Sequence, residues 1–167
     1  MIKELRKKKR NNFIRLISAA LIVSVCAAVS LFAFQLAIIS GDSMLPAYKS
    51  YSFVLINKTE KDFHRGDVVS FKSDAGTLIK RIAAEPYDTV VVKDGSLFVN
   101  GEKSGIYSGK ISFAGIAENE IHLGDGEYFM LGDNTDESKD SRYEIIGIVK
   151  KSSITGKIIP QKTVENP

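Results

Sequence analysis

The chain has few of the residues that support metal binding, redox chemistry or histidine-based catalysis. Its 167 residues include one cysteine, two histidines and no tryptophan. The cysteine, Cys26, lies in a long apolar run, where we expect it to be a small apolar residue. The rest of the chain therefore cannot form an internal disulfide, hold a thiolate-bound metal or use a cysteine nucleophile. We expect no metal ion and no organic cofactor.

Basic charge is also scarce outside the first 15 residues. The net charge is +3, but residues 1–15 alone carry +6, which leaves −3 on the other 152 residues. A nucleic-acid-binding fold spreads lysine and arginine over one face. We therefore expect no nucleic acid partner, and we interpret residues 1–15 as a short basic arm.

Residues 16–39 form an uncharged apolar run of 24 residues. As a helix the run would be about 36 Å long, against a hydrocarbon core of about 30 Å. A cleaved secretory signal has a shorter apolar stretch of about 7–15 residues and ends at an A-x-A-like site, which is missing here. A buried core helix would need a domain that surrounds it on every side. The run therefore predicts an uncleaved transmembrane anchor.

The basic arm lies before this anchor, so the positive-inside rule predicts a cytoplasmic N-terminus. Residues 40–160 would then form an extracytoplasmic domain of a single-pass protein of the cell membrane, in contact with the lipid bilayer. Residues 161–167 are polar and predict a loose tail. The sequence indicates no oligomeric state.

From Ser40 onward the pattern changes to short β-like runs with turn formers between them. Asp94-Gly95, between two such runs, is a hairpin signal. No helical periodicity is sustained beyond the anchor. We predict a mainly β fold, a folded antiparallel sheet or barrel after one N-terminal helix, with a less regular insertion at about residues 101–127. The expected strands lie in 50–56, 68–72, 77–84, 88–93, 96–100, 128–132 and 145–149.

Ser43 follows the anchor closely, in the stretch SGDSMLPAY, between a turn-forming Gly-Asp and a rigid proline. A serine hydroxyl is a poor nucleophile unless a base lies beside it. His64 and His122 both lie in polar turns, and we interpret them as surface residues. Lys80 lies between Leu78 and Ile82 on one face of a predicted strand, where burial would lower the pKa of its amine. The alternative is a lysine on a solvated strand.

The motifs GDSMLP, RGDVVSF, KRIAAEPYD and GDNTDESKDSR follow the apolar run in this order. Together they resemble the motif boxes of the bacterial type I signal peptidases, which are membrane-bound serine proteases with a Ser/Lys dyad. The resemblance implies Ser43 as nucleophile and Lys80 as general base, with no cofactor. It implies that Ser138 orients the lysine. The remaining implied positions are the supporting residues Asp133, Asn134, Asp140 and Arg142, and Met44 and Gly41 at the substrate-binding surface.

The chain departs from the family pattern at three positions. Some members have a serine at position 41 that stabilises the oxyanion; Gly41 lacks this donor, so the backbone N–H of Ser43 is the expected one. Ala84 and Tyr87 stand where the family has glycines that mark unusual backbone angles. Tyr87 would then reshape a turn or cover a substrate pocket.

The resemblance implies an endopeptidase that removes signal peptides from membrane-bound preproteins at a site where shallow pockets accept small residues. One alternative is a dedicated processing peptidase for a narrow client such as a pilin or coat protein. Another is a catalytically silent assembly factor, which would have no chemical need for Ser43 and Lys80. Self-cleaving repressors share the Ser/Lys chemistry but carry a DNA-binding head, and endoplasmic-reticulum-type enzymes have histidine as the base.

Overall fold

The structure, a computed structural model, describes residues 2–107 and 110–160, and for residues 2–11 the backbone alone. Helix α1 spans Ile2–Ala33, and eleven strands follow in the described residues. Short 3₁₀ turns lie at Gly115–Glu118 and Lys151–Ser153. The strands are β1 Phe34–Ile38, β2 Phe53–Asn57, β3 Val68–Ser73, β4 Gly76–Ala84, β5 Thr89–Lys93, β6 Ser96–Val99, β7 Glu102–Lys103, β8 Ile121–His122, β9 Glu127–Leu131, β10 Val149–Lys150 and β11 Ile154–Ile158.

All strand pairs in the described residues are antiparallel and form two sheets. The larger sheet has the order β1-β2-β11-β3-β4-β9-β10, and the smaller has the order β7-β6-β5-β8. The predicted fold class, mainly β after one N-terminal helix, is confirmed. The expected Asp94-Gly95 hairpin joins β5 to β6, and both of its residues have positive φ, at 51° and 71°.

The predicted helical anchor over residues 16–39 is wrong at its C-terminal end. Helix α1 stops at Ala33, and the next five residues form β1, which pairs with β2 from Phe34↔Asn57 to Ile38↔Phe53. An apolar run satisfies its backbone equally well in a helix or in a sheet, and here β2 supplies the partner. At the other end, the backbone of residues 2–15, which includes most of the predicted basic arm, is part of the same helix.

Two further strand predictions differ from the structure. Of the run 145–149 only Val149 is in a strand, because Tyr143–Gly147 forms a turn in which Gly147 has a φ of 55°. Strand β11 was not predicted, since its central Gly156 weakens the strand signal. A Cβ at position 156 would lie 2.5 Å from the Asn57 carbonyl oxygen, so the close approach to β2 requires glycine.

In the segment 101–127, the described residues, 101–107 and 110–127, contain short elements: two strands of two residues each, one 3₁₀ turn and the first residue of β9. The two strands belong to the smaller sheet, where β7 pairs with β6 and β8 pairs with β5. The segment therefore completes the second sheet rather than leaving it. The predicted tail, residues 161–167, lies outside the described residues.

The buried side chains form three apolar clusters, one of which supports the turn that carries Ser43. In this cluster Met44, fully buried, packs with Ile39, Val54, Ile56 and Ile158. Residues on either side of Ser43 are therefore held by the core of the larger sheet, which fixes where the hydroxyl lies.

Candidate active site

Ser43 lies in the turn region between β1 and β2, and its neighbours hold it in place. Gly41 has a φ of 84°, a conformation that glycine adopts without strain, and its N–H donates to Ser50 Oγ at 3.0 Å. Leu45 N donates to Asp42 O at 3.1 Å, which closes a tight turn around the serine. In the described residues no acceptor is bonded to the N–H of Ser43 itself. This N–H is therefore free to meet a ligand.

Lys80 lies on β4 and reaches the serine across the sheet. Its Nζ donates a hydrogen bond of 2.5 Å to Ser43 Oγ, although 37 residues separate the two in the chain. Lys80 is 4% exposed. Burial lowers the pKa of its amine below the usual 10.5, and the carboxylates of Asp140 and Asp133 oppose this shift only in part. No carboxylate of the described residues forms an ion pair with Lys80. An amine so placed can lose its proton and accept that of the serine hydroxyl.

The loop after β9 closes over the serine turn. Asn134 N donates to Ser43 O at 3.0 Å, and Asn134 Nδ2 donates to Asp42 O at 3.2 Å. A Cβ at Gly132 would overlap Ser138 Oγ and lie 2.5 Å from Ser43 O. The loop therefore approaches the serine backbone at a distance that only glycine allows.

Asp140 and Arg142 form a fully buried ion pair at the base of this loop. Arg142 Nε and Nη2 donate to the two Asp140 oxygens at 2.8 and 2.9 Å, and Asp140 Oδ2 also accepts from Gly132 N at 3.0 Å. The guanidinium donates in addition to backbone carbonyls of Phe113, Thr135 and Ser138. These hydrogen bonds hold Gly132, at the start of the loop, and Thr135 and Ser138, further along it, to the same ion pair.

Ser138 lies in the same loop with its Oγ buried. In the described residues this oxygen is the one buried side-chain polar atom without a hydrogen-bond partner. The orienting bond to Lys80 that the resemblance implies is therefore not formed in this structure.

Sequence reasoning did not single out Arg81. Arg81 Nε and Nη2 donate to the two oxygens of Asp133 at 2.7 and 2.6 Å, and Nη1 donates to Gly66 O at 2.7 Å. The pair fastens the loop after β9 to the strand that carries Lys80. Arg81 and Asp133 both lie in the quoted motifs, in KRIAAEPYD and GDNTDESKDSR. The spacing of the motifs does not show that these two residues form an ion pair.

A small cavity of about 120 Å³ opens beside Ser43 and Lys80. Its walls come from the end of β1, from Met44 and from Thr77–Ile79 of β4. Ile38 and Ile39 line it, although the sequence assigned both residues to the membrane anchor. Gln35, the one amide in that apolar run, was the available sign that the run is not uniform.

The remaining candidate residues lie away from this cavity. His64 is exposed and contacts Asp62 and Glu85, while His122 is exposed and contacts Glu120 and Thr89. Hydrogen bonds to these carboxylates, Asp62 first, raise the pKa of His64. Neither histidine contacts Ser43.

Tyr87, which stands where the family has a glycine, has a φ of 70°, in the region that favours glycine. Its exposed ring turns outward, and its hydroxyl donates to Asp125 at 3.1 Å, so it lines no wall of the cavity. Ala84 is buried in β4 opposite Phe129. Neither Ala84 nor Tyr87 is among the residues that line the cavity beside Ser43 and Lys80.

Comparison with known proteins identifies the family. Residues 10–160 match the family model described as signal peptidase, peptidase S26. The chain belongs to this family. It is 32% identical over 165 residues to signal peptidase I P of Bacillus subtilis subsp. natto, an alignment that covers 90% of this chain and 89% of that protein. It is 31% identical over 152 residues to signal peptidase I S of Bacillus subtilis strain 168, which covers 82% of each.

Among solved structures, a signal peptidase I from Enterococcus faecalis V583 superposes with a TM-score of 0.48 at 26% identity, over 59% of this chain and 97% of that one. Family membership makes the chain a hydrolase, a serine endopeptidase, and supports cleavage of signal peptides as its activity.

Proposed function

We propose that this protein is a membrane-anchored endopeptidase that removes signal peptides from exported preproteins, with Ser43 as nucleophile and Lys80 as general base. The observation that carries the proposal is the 2.5 Å contact between Ser43 Oγ and a buried Lys80 amine that has no carboxylate partner in the described residues. A serine hydroxyl needs an adjacent base, and a lysine serves as one when burial disfavours its charged form.

In the proposed reaction, Ser43 Oγ attacks the scissile carbonyl carbon while Lys80 Nζ takes the hydroxyl proton. The oxyanion of the tetrahedral intermediate accepts a hydrogen bond from the unbonded N–H of Ser43. Such a donor contributes about 3–4 kcal/mol to transition-state stabilisation. Collapse of the intermediate breaks the peptide bond, and the Lys80 ammonium gives its proton to the leaving amine. Water then hydrolyses the acyl-enzyme with Lys80 again as base.

The substrate would bind as an extended strand. Strand β9 pairs with β4 only over Arg81–Ala84, so Thr77–Lys80 has β3 on one side and no strand of the described residues on the other. Strand β1 is also at the end of its sheet. A peptide added at such edges gains backbone hydrogen bonds, and pockets select its side chains. The cavity of about 120 Å³ between these edges would admit only a small side chain next to the cut.

The membrane assignment rests on one helix and one apolar surface. Asn12–Ala33 of α1 has a mean hydropathy of 2.5 and is exposed along its length, which suits a membrane span. The exposed faces of β1 and β2 continue this apolar surface through Leu36, Ile38, Phe53 and Leu55. Because Ile38 also lines the cavity, the cut would be made close to the bilayer, where a membrane-bound preprotein arrives at high effective concentration.

The helix is tied to this surface by Lys58, just after β2. Lys58 N donates to Ala33 O at 2.8 Å, its Nζ donates to Leu31 O at 3.4 Å, and the amine lies 5.8 Å from the centre of the Phe32 ring. No linker separates α1 from β1. The basic residues before the span predict a cytoplasmic N-terminus and an extracytoplasmic catalytic domain.

The test is cleavage of a preprotein with an A-x-A site by the full chain in detergent or vesicles. We expect wild type to cut at that site and both Ser43→Ala and Lys80→Ala to be inactive, with the new N-terminus identified by sequencing. Lys72→Ala on the neighbouring strand β3 is the control, since Lys72 is exposed. Activity that survives Lys80→Ala would contradict the assigned base.

If wild type cuts none of several A-x-A preproteins, general signal peptidase activity is wrong. Cleavage of one client alone would then support a dedicated processing peptidase. Absence of cleavage by a folded wild type in every assay would support a silent assembly role.

A further inference from the structure

A second and larger pocket, with a volume of about 400 Å³, is lined by Arg81, the neighbour of Lys80 in the chain, and by Pro46 and Ala47, which follow Ser43 closely. The volume is within the range of about 300–1,000 Å³ for pockets that bind small ligands. The apolar lining consists of Pro46, Ala47, Ile106 and the ring of Tyr107, and the polar lining of Arg81, Asp133 and Thr135.

Several walls of this pocket are connected to Ser43 and Lys80 through the chain or through one hydrogen bond. Pro46 and Ala47 follow Ser43 in the same turn region, and Arg81 follows Lys80 on β4. Asp133 and Thr135 flank Asn134, whose N–H is bonded to Ser43 O. The pocket and the smaller cavity share no lining residue. The two cavities are therefore separate.

A peptide that runs along the free edge of β4 cannot continue beyond Lys80, because from Arg81 onward that edge is occupied by β9. The part of the substrate that follows the cut must leave the sheet there. The open route past Ser43 is the pocket between the Pro46–Ala47 turn and the loop after β9. We propose that this pocket binds the first two residues after the scissile bond; the inference rests on the proposed function and adds a second specificity site to it.

The charges of the pocket indicate which side chains it accepts. All three guanidinium nitrogens of Arg81 already donate, two to Asp133 and one to Gly66 O. The ion pair is neutral as a whole and is held bidentate, so neither member is available to pair with a charged ligand. The pocket therefore favours uncharged side chains of medium size over acidic ones of the same shape.

The test uses three peptides that are identical up to the cut and carry Ala-Ala, Gln-Gln or Glu-Glu after it. Cleavage is measured with the full chain in detergent. We expect wild type to cut the Gln-Gln peptide at least as well as the Ala-Ala peptide, and about tenfold better in kcat/KM than the Glu-Glu peptide.

Two variants fill the pocket from different walls, Ala47→Phe and Ile106→Trp. Each is expected to lower kcat/KM for the Gln-Gln peptide about tenfold more than for the Ala-Ala peptide. Ile145→Trp is the matched control, because Ile145 is likewise an exposed isoleucine but lines a different groove. It should change none of the three values.

The outcomes separate this inference from the proposed function. If wild type cuts the Ala-Ala peptide but neither filling variant changes the Gln-Gln to Ala-Ala ratio, the pocket inference is overturned and the peptidase function stands. A Glu-Glu peptide cut as well as the Gln-Gln peptide also overturns it. A wild type that cuts none of the peptides overturns both.

Discussion

Two cations are buried beside each other in this protein, and they are treated in opposite ways. Arg142, 1% exposed, donates from each guanidinium nitrogen to the Asp140 carboxylate or to backbone carbonyls. Lys80, 4% exposed, has one described hydrogen bond from its amine, and that bond goes to the Ser43 hydroxyl. Both side chains lose hydration on burial, but of the two only Arg142 has a carboxylate partner among the described residues.

The difference follows from the chemistry of the two groups. A guanidinium stays charged at every accessible pH, so a buried one must be paired and hydrogen-bonded. An amine can lose its proton, and burial without a carboxylate partner favours the neutral form. The protein therefore uses Arg142 to hold the loop after β9 in place, whereas the role proposed for Lys80 requires an amine that can exchange a proton.

We expect the largest effect on activity when the lysine is exchanged for arginine at position 80. Lys80→Arg keeps a cation at the same position but removes the group that can be deprotonated. General-base catalysis contributes about 10²–10⁴-fold to rate, so we expect kcat to fall by about 10³-fold or more on an A-x-A preprotein. Circular dichroism should show an intact fold. Activity within tenfold of wild type would mean that Lys80 acts by its charge and not as a base.

The reverse exchange, Arg142→Lys, keeps the charge but loses the fork that reaches several acceptors at once. Loss of one hydrogen bond to a charged group costs about 1.5–3 kcal/mol, and we expect the free energy of unfolding to fall by at least this amount in urea titrations. Arg65→Lys is the control. The Arg65 side chain is 37% exposed and its one described side-chain partner is Asp88, so its exchange for lysine should cost less than that of Arg142. Equal losses in the two variants would contradict the structural role of Arg142.

The pH dependence should distinguish a base from a fixed charge. Burial lowers the pKa of Lys80 below 10.5, and only the neutral amine accepts a proton. We expect kcat/KM to rise about tenfold per pH unit below that lowered pKa and to level off above it. Stopped assays over a buffer series measure this. A flat profile in the range where the fold is intact would contradict Lys80 as the titrating base.

Stability should follow the same ionisation. Between the lowered pKa and 10.5 the unfolded chain binds more protons than the folded one, so the contribution of Lys80 to stability rises with pH. Lys80→Met removes this cost. The variant is expected to be more stable than wild type at pH 7, and the gap should narrow as the pH approaches 10.5. Lys72→Met, at an exposed position, should show no such trend.

Much of the sheet could be predicted because its strands alternate and end at turn formers. The hairpin at Asp94-Gly95 and the strand that carries Lys80 are examples. The end of α1 could not be predicted, because residues 34–39 are as apolar as the helix before them, and only pairing with β2 makes them a strand. Strand β11 was not predicted, because Gly156 weakens its strand signal. The glycine is required by the contact with Asn57 and not by any local preference.

The candidate site likewise has residues that the sequence predicts and residues that it does not. The motifs were enough to predict Ser43 and Lys80 as a pair, and the structure brings their side chains together. The role of Arg81 was not predicted, because its partner Asp133 is 52 residues away in the sequence. The pairing of β4 with β9 brings the two residues together. The walls of both cavities likewise come from distant segments, and no single stretch of sequence contains them.

The smallest expected effect is the change in stability caused by Ser138→Ala in the loop after β9. Ser141, a second buried serine of the same loop, provides the control. Ser141 Oγ accepts a hydrogen bond from Met130 N at 2.9 Å, while Ser138 Oγ has no partner in the described residues. Ser138→Ala removes an unpaired buried hydroxyl, so we expect stability to be unchanged or slightly higher. Ser141→Ala leaves a buried N–H without its acceptor and should cost about 1–3 kcal/mol.

The activity of Ser138→Ala tests whether this hydroxyl moves to Lys80 during catalysis. If it orients the amine, kcat should fall about tenfold with KM unchanged, because a small misplacement of a catalytic group is costly. Ser138→Thr, which restores a hydroxyl, should recover part of the loss. A variant with wild-type kcat would mean that Ser138 has no part in positioning Lys80, and that the buried contact to Ser43 alone holds the base in place.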